Sequence, residues 1–290
     1  MLDGIPSRTA AMVAAARGLG ALLPAHVQLA DDPYGLRFVG GALPRGRAAT
    51  AVGWALRLPL IRPWILYMQV RTRILDDVVR AFARAGGRQI VLLGAGYDCR
   101  ALRLAPELGG AAVYEVDHPA TQGHKREVLA ADGSAARYVT WDFERRPMAE
   151  LPAALAAAGH DAAAPTLTLW EGVTMYLTEA AIEASVAAIA AYSAPGSSLG
   201  VTYFTRAEVE RPSLVTRLTA GVVQRAGEPW RFGWDPAALP AWLAARGFAL
   251  DRDVAMADEA RALLPGRWSA GVGHRGRRVA VAERVATATL

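Results

Sequence analysis

The spacing of apolar and polar residues changes near position 88 of the chain. From there on, short apolar runs alternate with longer stretches in which apolar residues recur every three or four positions. The short runs predict strands and the longer stretches predict helices. The predicted strands are Gln89–Leu93, Ala112–Asp117, Tyr138–Trp141, Thr166–Trp170, Ser198–Phe204, Phe248–Val254 and Arg278–Ala282. The predicted helices are Arg100–Leu108, Thr121–Ala131, Leu151–Ala158, Thr178–Tyr192 and Pro236–Arg246.

Strands that alternate with helices are typical of a doubly wound, parallel sheet. We therefore predict an α/β, Rossmann-like fold with a seven-stranded, mostly parallel sheet over residues 88–290, in which the last two strands form an antiparallel edge pair. Residues 1–87 lack a strand pattern. Their pattern predicts an N-terminal helical cap with helices over Ala10–Leu22 and Pro63–Ala85. This cap is either a layer that packs on the sheet or a lid over a ligand.

A glycine turn and an acidic residue follow the first two predicted strands. The turn is Gly94–Gly96, and Asp117 stands 21 positions after Gly96. That spacing is typical of a βαβ unit that binds the ribose of a nucleoside cofactor. Cys99 replaces the third glycine of a dinucleotide site and Asp98 brings a negative charge, so S-adenosylmethionine fits better than NAD. The alternative for Asp117 is a helix N-cap.

Two further acids end predicted strands. Asp142 can accept the amino group of adenine while Trp141 and Phe143 pack on the base, or it can be a turn residue. Glu171, before Gly172, follows an apolar strand and therefore needs a partner such as the cationic end of a cofactor. Because ligands bind beyond the carboxyl ends of parallel strands, we expect all these acids at one edge of the sheet.

Composition narrows the possible partners. The chain has a net charge of +5 and a pI near 9.7, but its basic residues are scattered, which argues against nucleic acid. Its single cysteine excludes an internal disulfide, and its five histidines lack metal-ligand spacing, so no metal is expected. No apolar run is long enough to cross a membrane, and the predicted compartment is the cytoplasm.

Five motifs of the chain together resemble the leucine carboxyl methyltransferase family, a branch of the class I S-adenosylmethionine-dependent methyltransferases. They occur in family order over roughly residues 30–255. The motifs are Arg71–Asp77, Leu93–Arg100, Glu115–Pro119 with Lys125, Trp141–Phe143 and Trp170–Leu177. Cys99 departs from the family pattern, in which this position resembles Thr. The lone lysine, Lys125, is otherwise interpreted as a solvated helix residue.

The resemblance implies a role for each motif. Arg71 is expected to bind the cofactor carboxylate. The alternative for Arg71 and its neighbour Arg73 is a surface charge, and Arg73 would then pair with Asp76 or Asp77. Asp117 is expected at the ribose, Asp142 at the adenine end and Glu171 at the amino group. The full set of predicted cofactor contacts is Arg71, Gly94, Ala95, Gly96, Asp117, His118, Trp141, Asp142, Phe143, Glu171 and Gly172.

The predicted function is O-methylation of a small metabolite, such as a polyketide, at a carboxylate or a hydroxyl. A carboxylate is ionised near neutral pH and needs no general base, whereas a phenol needs one. The candidate bases are His118, Tyr176 and Tyr203. Arg37, Arg206 and Arg231 are candidates to hold an acidic acceptor.

Three alternatives to this function remain from the sequence. They are a methyltransferase of protein C-terminal carboxylates, an NAD-dependent Rossmann oxidoreductase, and a module that binds the cofactor without catalysis. The oligomeric state is open, with a homodimer as one option.

Overall fold

The apolar runs form seven strands of one sheet in the computed structural model, which describes residues 6–40, 50, 53–54, 61–212 and 230–286. The strands are β1 (Gln89–Leu93), β2 (Ala112–Asp117), β3 (Arg137–Thr140), β4 (Thr166–Trp170), β5 (Ser198–Phe204), β6 (Phe248–Ala255) and β7 (Arg277–Arg284). Their order is β3-β2-β1-β4-β5-β7-β6. β1 to β5 run parallel, and β7 pairs antiparallel with both β5 and β6. The predicted fold class is confirmed.

Each face of the sheet is covered by a buried apolar cluster. Successive side chains of a strand enter different clusters, because they point to opposite faces. In β1, Ile90 and Leu92 belong to one buried apolar cluster, and Val91 and Leu93 belong to another. All residues of β1 and β4 are buried, so these two strands lie at the centre of the molecule, as mostly apolar strands of parallel sheets do.

Ten α-helices are described. They are α1 (Arg8–Gly20), α2 (Arg62–Arg84), α3 (Arg100–Arg103), α4 (Pro119–Val128), α5 (Leu151–Ala157), α6 (Glu179–Tyr192), α7 (Arg206–Glu210), α8 (Leu239–Ala244), α9 (Met256–Leu263) and α10 (Gly266–Ser269). Pro63 lies in the first turn of α2, as expected of a residue without an N–H. The Thr178 side chain caps α6 by accepting a hydrogen bond from the amide of Ala181, at 3.2 Å.

Two predicted helices are shorter than expected. The stretch from Arg100 forms only α3, followed by a 3-10 turn over Ala105–Glu107, because Pro106 cannot donate a helical hydrogen bond. The helix expected from Pro236 begins only at Leu239.

The N-terminal region contributes α1, a 3-10 turn over Gly35–Val39, and α2. Gly35 allows this turn to approach α1, since a Cβ at Gly35 would overlap the carbonyl oxygen of Ala14. The Pro44 and Pro59 parts of the predicted cap lie outside the described residues. Among the helices that the structure describes, none combines the length and apolar character that a membrane crossing requires.

Candidate active site

The turn after β1 brings the backbone close to a neighbouring loop. The amides of Gly94 and Ala95 both donate to the carbonyl oxygen of Val116, at 2.9 and 3.1 Å. Gly94 has a φ of +71°, and a Cβ there would lie 2.6 Å from the Val173 side chain. Gly96 also has a positive φ, of +52°. Both positions favour glycine because other residues rarely adopt this conformation.

Asp117 ends β2 and holds the glycine turn. One carboxylate oxygen accepts the Gly96 amide at 2.5 Å, and the other accepts the His118 amide at 2.6 Å. Burial raises the pKa of Asp117, and these two backbone hydrogen bonds oppose that rise. The N-cap of α4 is His118, whose Nδ1 accepts the Ala120 amide, so the interpretation of Asp117 as the N-cap is wrong. Each carboxylate oxygen keeps a second lone pair with which it can accept a ribose hydroxyl.

Asp142 lies just after β3, close to His118. Its Oδ1 accepts the amides of Glu144 and Arg145, and its Oδ2 lies 3.8 Å from His118 Nε2. Burial acts to raise the pKa of Asp142, but the two amides, together with the neighbouring His118 and Arg145, bring it below its usual value. The neighbouring Phe143 is 37% exposed, so its ring is accessible to a base.

Trp141, also expected at the adenine, is fully buried in the core. The Arg146 guanidinium lies over its ring, 3.8 Å from the centroid. Its surroundings are therefore those of a core residue, and its predicted contact with the cofactor stays a prediction.

Glu171 follows β4 and lies between two arginines. Its Oε1 is 2.6 Å from Arg71 Nε, and its Oε2 is 2.6 Å from an Arg100 nitrogen. Burial acts to raise the pKa of Glu171, and the two guanidinium groups bring it below its usual value. The contact with Arg71 is an ion pair without hydrogen-bond alignment, because Arg71 Nε and Glu171 Oε1 both lack a hydrogen-bond partner. The carboxylate and ammonium groups of an amino acid would supply the missing partners.

A buried ionic network of arginine, lysine and acidic side chains packs against the turn after β1. Arg100 pairs with both Asp98 and Asp76. Lys125 pairs with Glu115 at 2.5 Å and also donates to the carbonyl oxygen of Asp98. Lys125 is only 1% exposed, so its interpretation as a solvated residue is wrong. Burial alone would raise the pKa of Asp98, and the surrounding cations, Arg100 foremost, hold it well below its usual range.

The N-terminal helix α1 covers this turn through individual contacts that the sequence did not indicate. Arg17 of α1 donates to the carbonyl oxygen of Tyr97 at 2.5 Å and pairs with Asp32 at 2.9 Å. Asp32 in turn accepts the amides of Tyr34 and Gly35 at the 3-10 turn. These bonds connect residues far apart in sequence, and periodicity carries no signal for them.

Two of the candidate bases are engaged elsewhere. Tyr203 donates its hydroxyl proton to Asp253 at 2.8 Å, and burial, followed by the Asp253 charge, raises the pKa of Tyr203. His118 uses Nδ1 as an acceptor, so that in the neutral ring Nε2 carries the proton towards Asp142. The geometry therefore does not favour either as a base. Tyr176 is half-buried in the 3-10 turn after β4, and its role stays a prediction.

The surface arginines considered from sequence have other surroundings. Arg73 pairs with Asp77 at 2.7 Å on the exposed side of α2, as the surface interpretation predicts. Arg37 pairs with Asp132 at 2.8 Å. Arg206 and Arg231 are exposed.

The site as a whole fits an adenosyl group that carries an amino acid. Four acids lie at or shortly after the carboxyl ends of β1 to β4, namely Asp98, Asp117, Asp142 and Glu171. Such a set disfavours a pyrophosphate and suits a cationic ligand with donor hydroxyls. The residues that could hold such a ligand are Arg71 and Glu171 at its amino-acid end, Gly94–Gly96 along the turn and Asp117 at its ribose. Within the part of the chain that the structure describes, no three potential metal ligands cluster.

Residues 10–190 match the family model of leucine carboxyl methyltransferase. A Streptomyces coelicolor protein, provisionally named an S-adenosyl-L-methionine-dependent methyltransferase, is 40% identical over 62% of this chain and 61% of its own length. A Mycolicibacterium smegmatis protein of the same name is 36% identical over 77% of this chain and 71% of its own. The match with a Streptomyces avermitilis relative, 43% identical over 49% of this chain, spans only 50% of that relative.

Two solved structures share the fold. A DUF574 family protein from Streptomyces avermitilis superposes with a TM-score of 0.59 at 18% identity, covering 93% of this chain and 96% of its own. A Thermobifida fusca protein, provisionally named a methyltransferase, gives a TM-score of 0.57 at 20% identity. The match covers 98% of this chain and 97% of that protein. At these identities the likeness extends to the fold alone.

Proposed function

This chain belongs to the leucine carboxyl methyltransferase family, and on that premise we propose that it is an S-adenosylmethionine-dependent O-methyltransferase whose acceptor is a carboxylate of a small molecule. The observation that carries the proposal is the largely enclosed pair of Arg71 and Glu171, at the same edge of the sheet as Asp117, the acid expected at the ribose. Relatives provisionally named as S-adenosyl-L-methionine-dependent methyltransferases support the same cofactor.

The charges of the site support a sulfonium cofactor. When bound, S-adenosylmethionine would supply an electrophilic methyl group for the acceptor oxygen, and the electron pair of the broken carbon–sulfur bond would remain on sulfur. Arg71 and Glu171 orient the amino-acid end, and Asp117 fixes the ribose. Since both oxygens of Asp117 also hold backbone amides, the carboxylate is oriented before the ligand arrives.

A carboxylate acceptor agrees best with the side chains around the site. A carboxylate is already ionised near neutral pH and needs no proton acceptor. Tyr203 donates to Asp253, and His118 directs its proton-bearing nitrogen towards Asp142, so neither is arranged to take a proton from a phenol. The work left to the protein is alignment of the two reactants and exclusion of water.

The test is methyl transfer from methyl-tritiated S-adenosylmethionine to a panel of small carboxylic acids, phenols and a peptide with a free C-terminus. Methyl esters release labelled methanol after mild alkaline treatment, whereas methyl ethers do not. We expect base-labile label with acids. Label that appears only with phenols and resists alkali would contradict the carboxylate assignment, and label on a peptide with a free C-terminus alone would favour a protein carboxyl methyltransferase.

Cofactor binding is tested separately by calorimetry with S-adenosylhomocysteine. We expect D117A to weaken binding by at least about tenfold, because hydrogen bonds to a charged group contribute about 1.5–3 kcal/mol each. The exposed Asp251 of β6 gives the matched control D251A, which we expect to bind normally. Binding of NAD but not of S-adenosylhomocysteine would favour an oxidoreductase.

A further inference from the structure

Arg277 is a buried arginine without a carboxylate partner among the described residues. It is the first residue of β7 and is only 8% exposed. Four arginines are buried in the described parts of the chain, and Arg17, Arg71 and Arg100 each have a carboxylate within 4.0 Å. No carboxylate of a described residue lies within that distance of Arg277, and its Nε has no hydrogen-bond partner.

Aromatic rings surround the guanidinium of Arg277. Its central carbon lies 5.0 Å from the centroid of the Tyr67 ring and 5.3 Å from that of the Phe204 ring. Trp230 contacts Phe204 edge-on at 4.8 Å, and its indole N–H is likewise buried without a partner. Rings attract a cation through their faces, but they accept no ordinary hydrogen bonds from its N–H groups. Within the described residues the Nε of Arg277 therefore lacks an acceptor, which an anionic ligand would supply.

Arg277 lies on the same edge of the sheet as the acids of the site. Because β7 runs antiparallel to β5, its first residue is paired with Phe204, the last residue of β5. The centroid of the Tyr67 ring is 6.0 Å from the guanidinium carbon of Arg71 and 5.0 Å from that of Arg277. Tyr67 thus connects the position of Arg277 with the amino-acid end of the proposed cofactor site.

We propose that Arg277 binds the carboxylate of the acceptor and thereby selects acidic, partly aromatic or apolar acceptors. The inference rests on the proposed function and adds to it the residue that recognises the acceptor. A guanidinium matches a carboxylate with paired, charge-assisted hydrogen bonds, and Tyr67, Phe204 and Trp230 provide apolar surface for the rest of the molecule. Arg37, Arg206 and Arg231, which were considered from sequence, are paired or exposed instead.

The experiment compares acids with their uncharged amides on protein saturated with S-adenosylhomocysteine. The probes are benzoate against benzamide and 4-phenylbutyrate against 4-phenylbutyramide, measured by saturation-transfer NMR titration. We expect the wild-type protein to prefer each acid by at least about tenfold, as charged hydrogen bonds imply. R277M should remove this preference. Arg275, whose side chain is 78% exposed, gives the control R275M, which should keep it.

The result that overturns the proposal is equal binding of acid and amide to the wild-type protein, failure of the acids to bind at all, or an unchanged preference in R277M. In each case S-adenosylhomocysteine still binds, so the assignment of the cofactor survives, and the methyl-transfer panel decides the acceptor separately. Failure of the wild-type protein to bind S-adenosylhomocysteine sinks the proposed function instead. R277Q, which keeps neutral donors, should bind the acids with intermediate affinity. Both Arg277 variants should melt no lower than the wild-type protein, because they remove an uncompensated buried charge.

Discussion

Cys99 shows how burial decides which side chains can react. It follows Asp98 in the turn after β1, and its Sγ lies 3.5 Å from the carbonyl oxygen of Tyr97. Burial raises the pKa of the Cys99 thiol to about 12. The thiolate is the reactive form of cysteine, so in the folded protein Cys99 is a packing residue and not a nucleophile.

Alkylation by iodoacetamide tests this assignment. We expect the folded protein to stay unmodified at pH 8, whereas the urea-unfolded protein reacts at Cys99, whose pKa there returns to about 8.5. Intact-mass spectrometry measures both. C99T should keep its affinity for S-adenosylhomocysteine within about twofold, because a hydroxyl of similar size can donate to the same carbonyl. Rapid alkylation of the folded protein would contradict the buried assignment.

Some residues of the site could be located from the sequence, and others could not. Asp117, Asp142 and Glu171 were located from sequence, because an acid at the end of a parallel strand has a defined place in the fold. Arg17 and Arg277 were missed. Their significance lies in which partners they contact or lack, and pairing across 80 residues, as between Arg17 and Tyr97, leaves no periodic signal.

At the scale of secondary-structure elements, α1 is attached directly to the cofactor turn. Arg17 reaches the Tyr97 carbonyl, and the amide of Ser7, at the N-terminal end of α1, donates to Thr121 of α4 at 3.1 Å. A Cβ at Gly96 would lie 3.3 Å from Ala10. The first helix of the chain therefore forms part of the enclosure around the turn, in the place where a lid would exclude water.

The variant R17M tests the attachment of α1. It leaves Asp32 buried without its charged partner, and breaking a buried ion pair in this way costs about 3–5 kcal/mol. We expect amide hydrogen exchange across Arg8–Gly20 to rise by at least about tenfold, as measured by mass spectrometry. The exposed Arg8 provides the control R8M, for which exchange should stay as in the wild-type protein. Unchanged exchange in R17M would mean that α1 is held by apolar packing alone.

Elements with a clear pattern of apolar residues were predicted well, whereas short helices were not. The β strands and α2 were predicted to within a few residues, since their apolar runs are bounded by glycine or by charged residues. α7, α9 and α10 were not predicted. They are short, and α9 packs against α2, so that its helical state depends on tertiary contact and less on its own pattern.

For the whole molecule, the ionic network joins the helical layer to the sheet. Arg100 of α3 contacts Asp76 of α2 and Glu171 beyond β4, while Lys125 of α4 contacts Glu115 of β2. Buried pairs of this kind resist separation, because an element that moved away would leave an uncompensated charge behind. We therefore expect the described helices and the sheet to unfold together rather than in two steps.

Ligand-linked unfolding examines this coupling and the cofactor site in one measurement. A ligand that binds only the folded protein at 100 times its dissociation constant adds about 2.7 kcal/mol to the free energy of unfolding. We expect S-adenosylhomocysteine at that concentration to shift a single urea transition, followed by both tryptophan fluorescence and circular dichroism. D117A at the same ligand concentration should lose about half of the shift or more, whereas D251A should keep all of it. Two transitions, with only one moved by the ligand, would show that part of the molecule folds independently of the site, because a ligand stabilises only the unit that binds it.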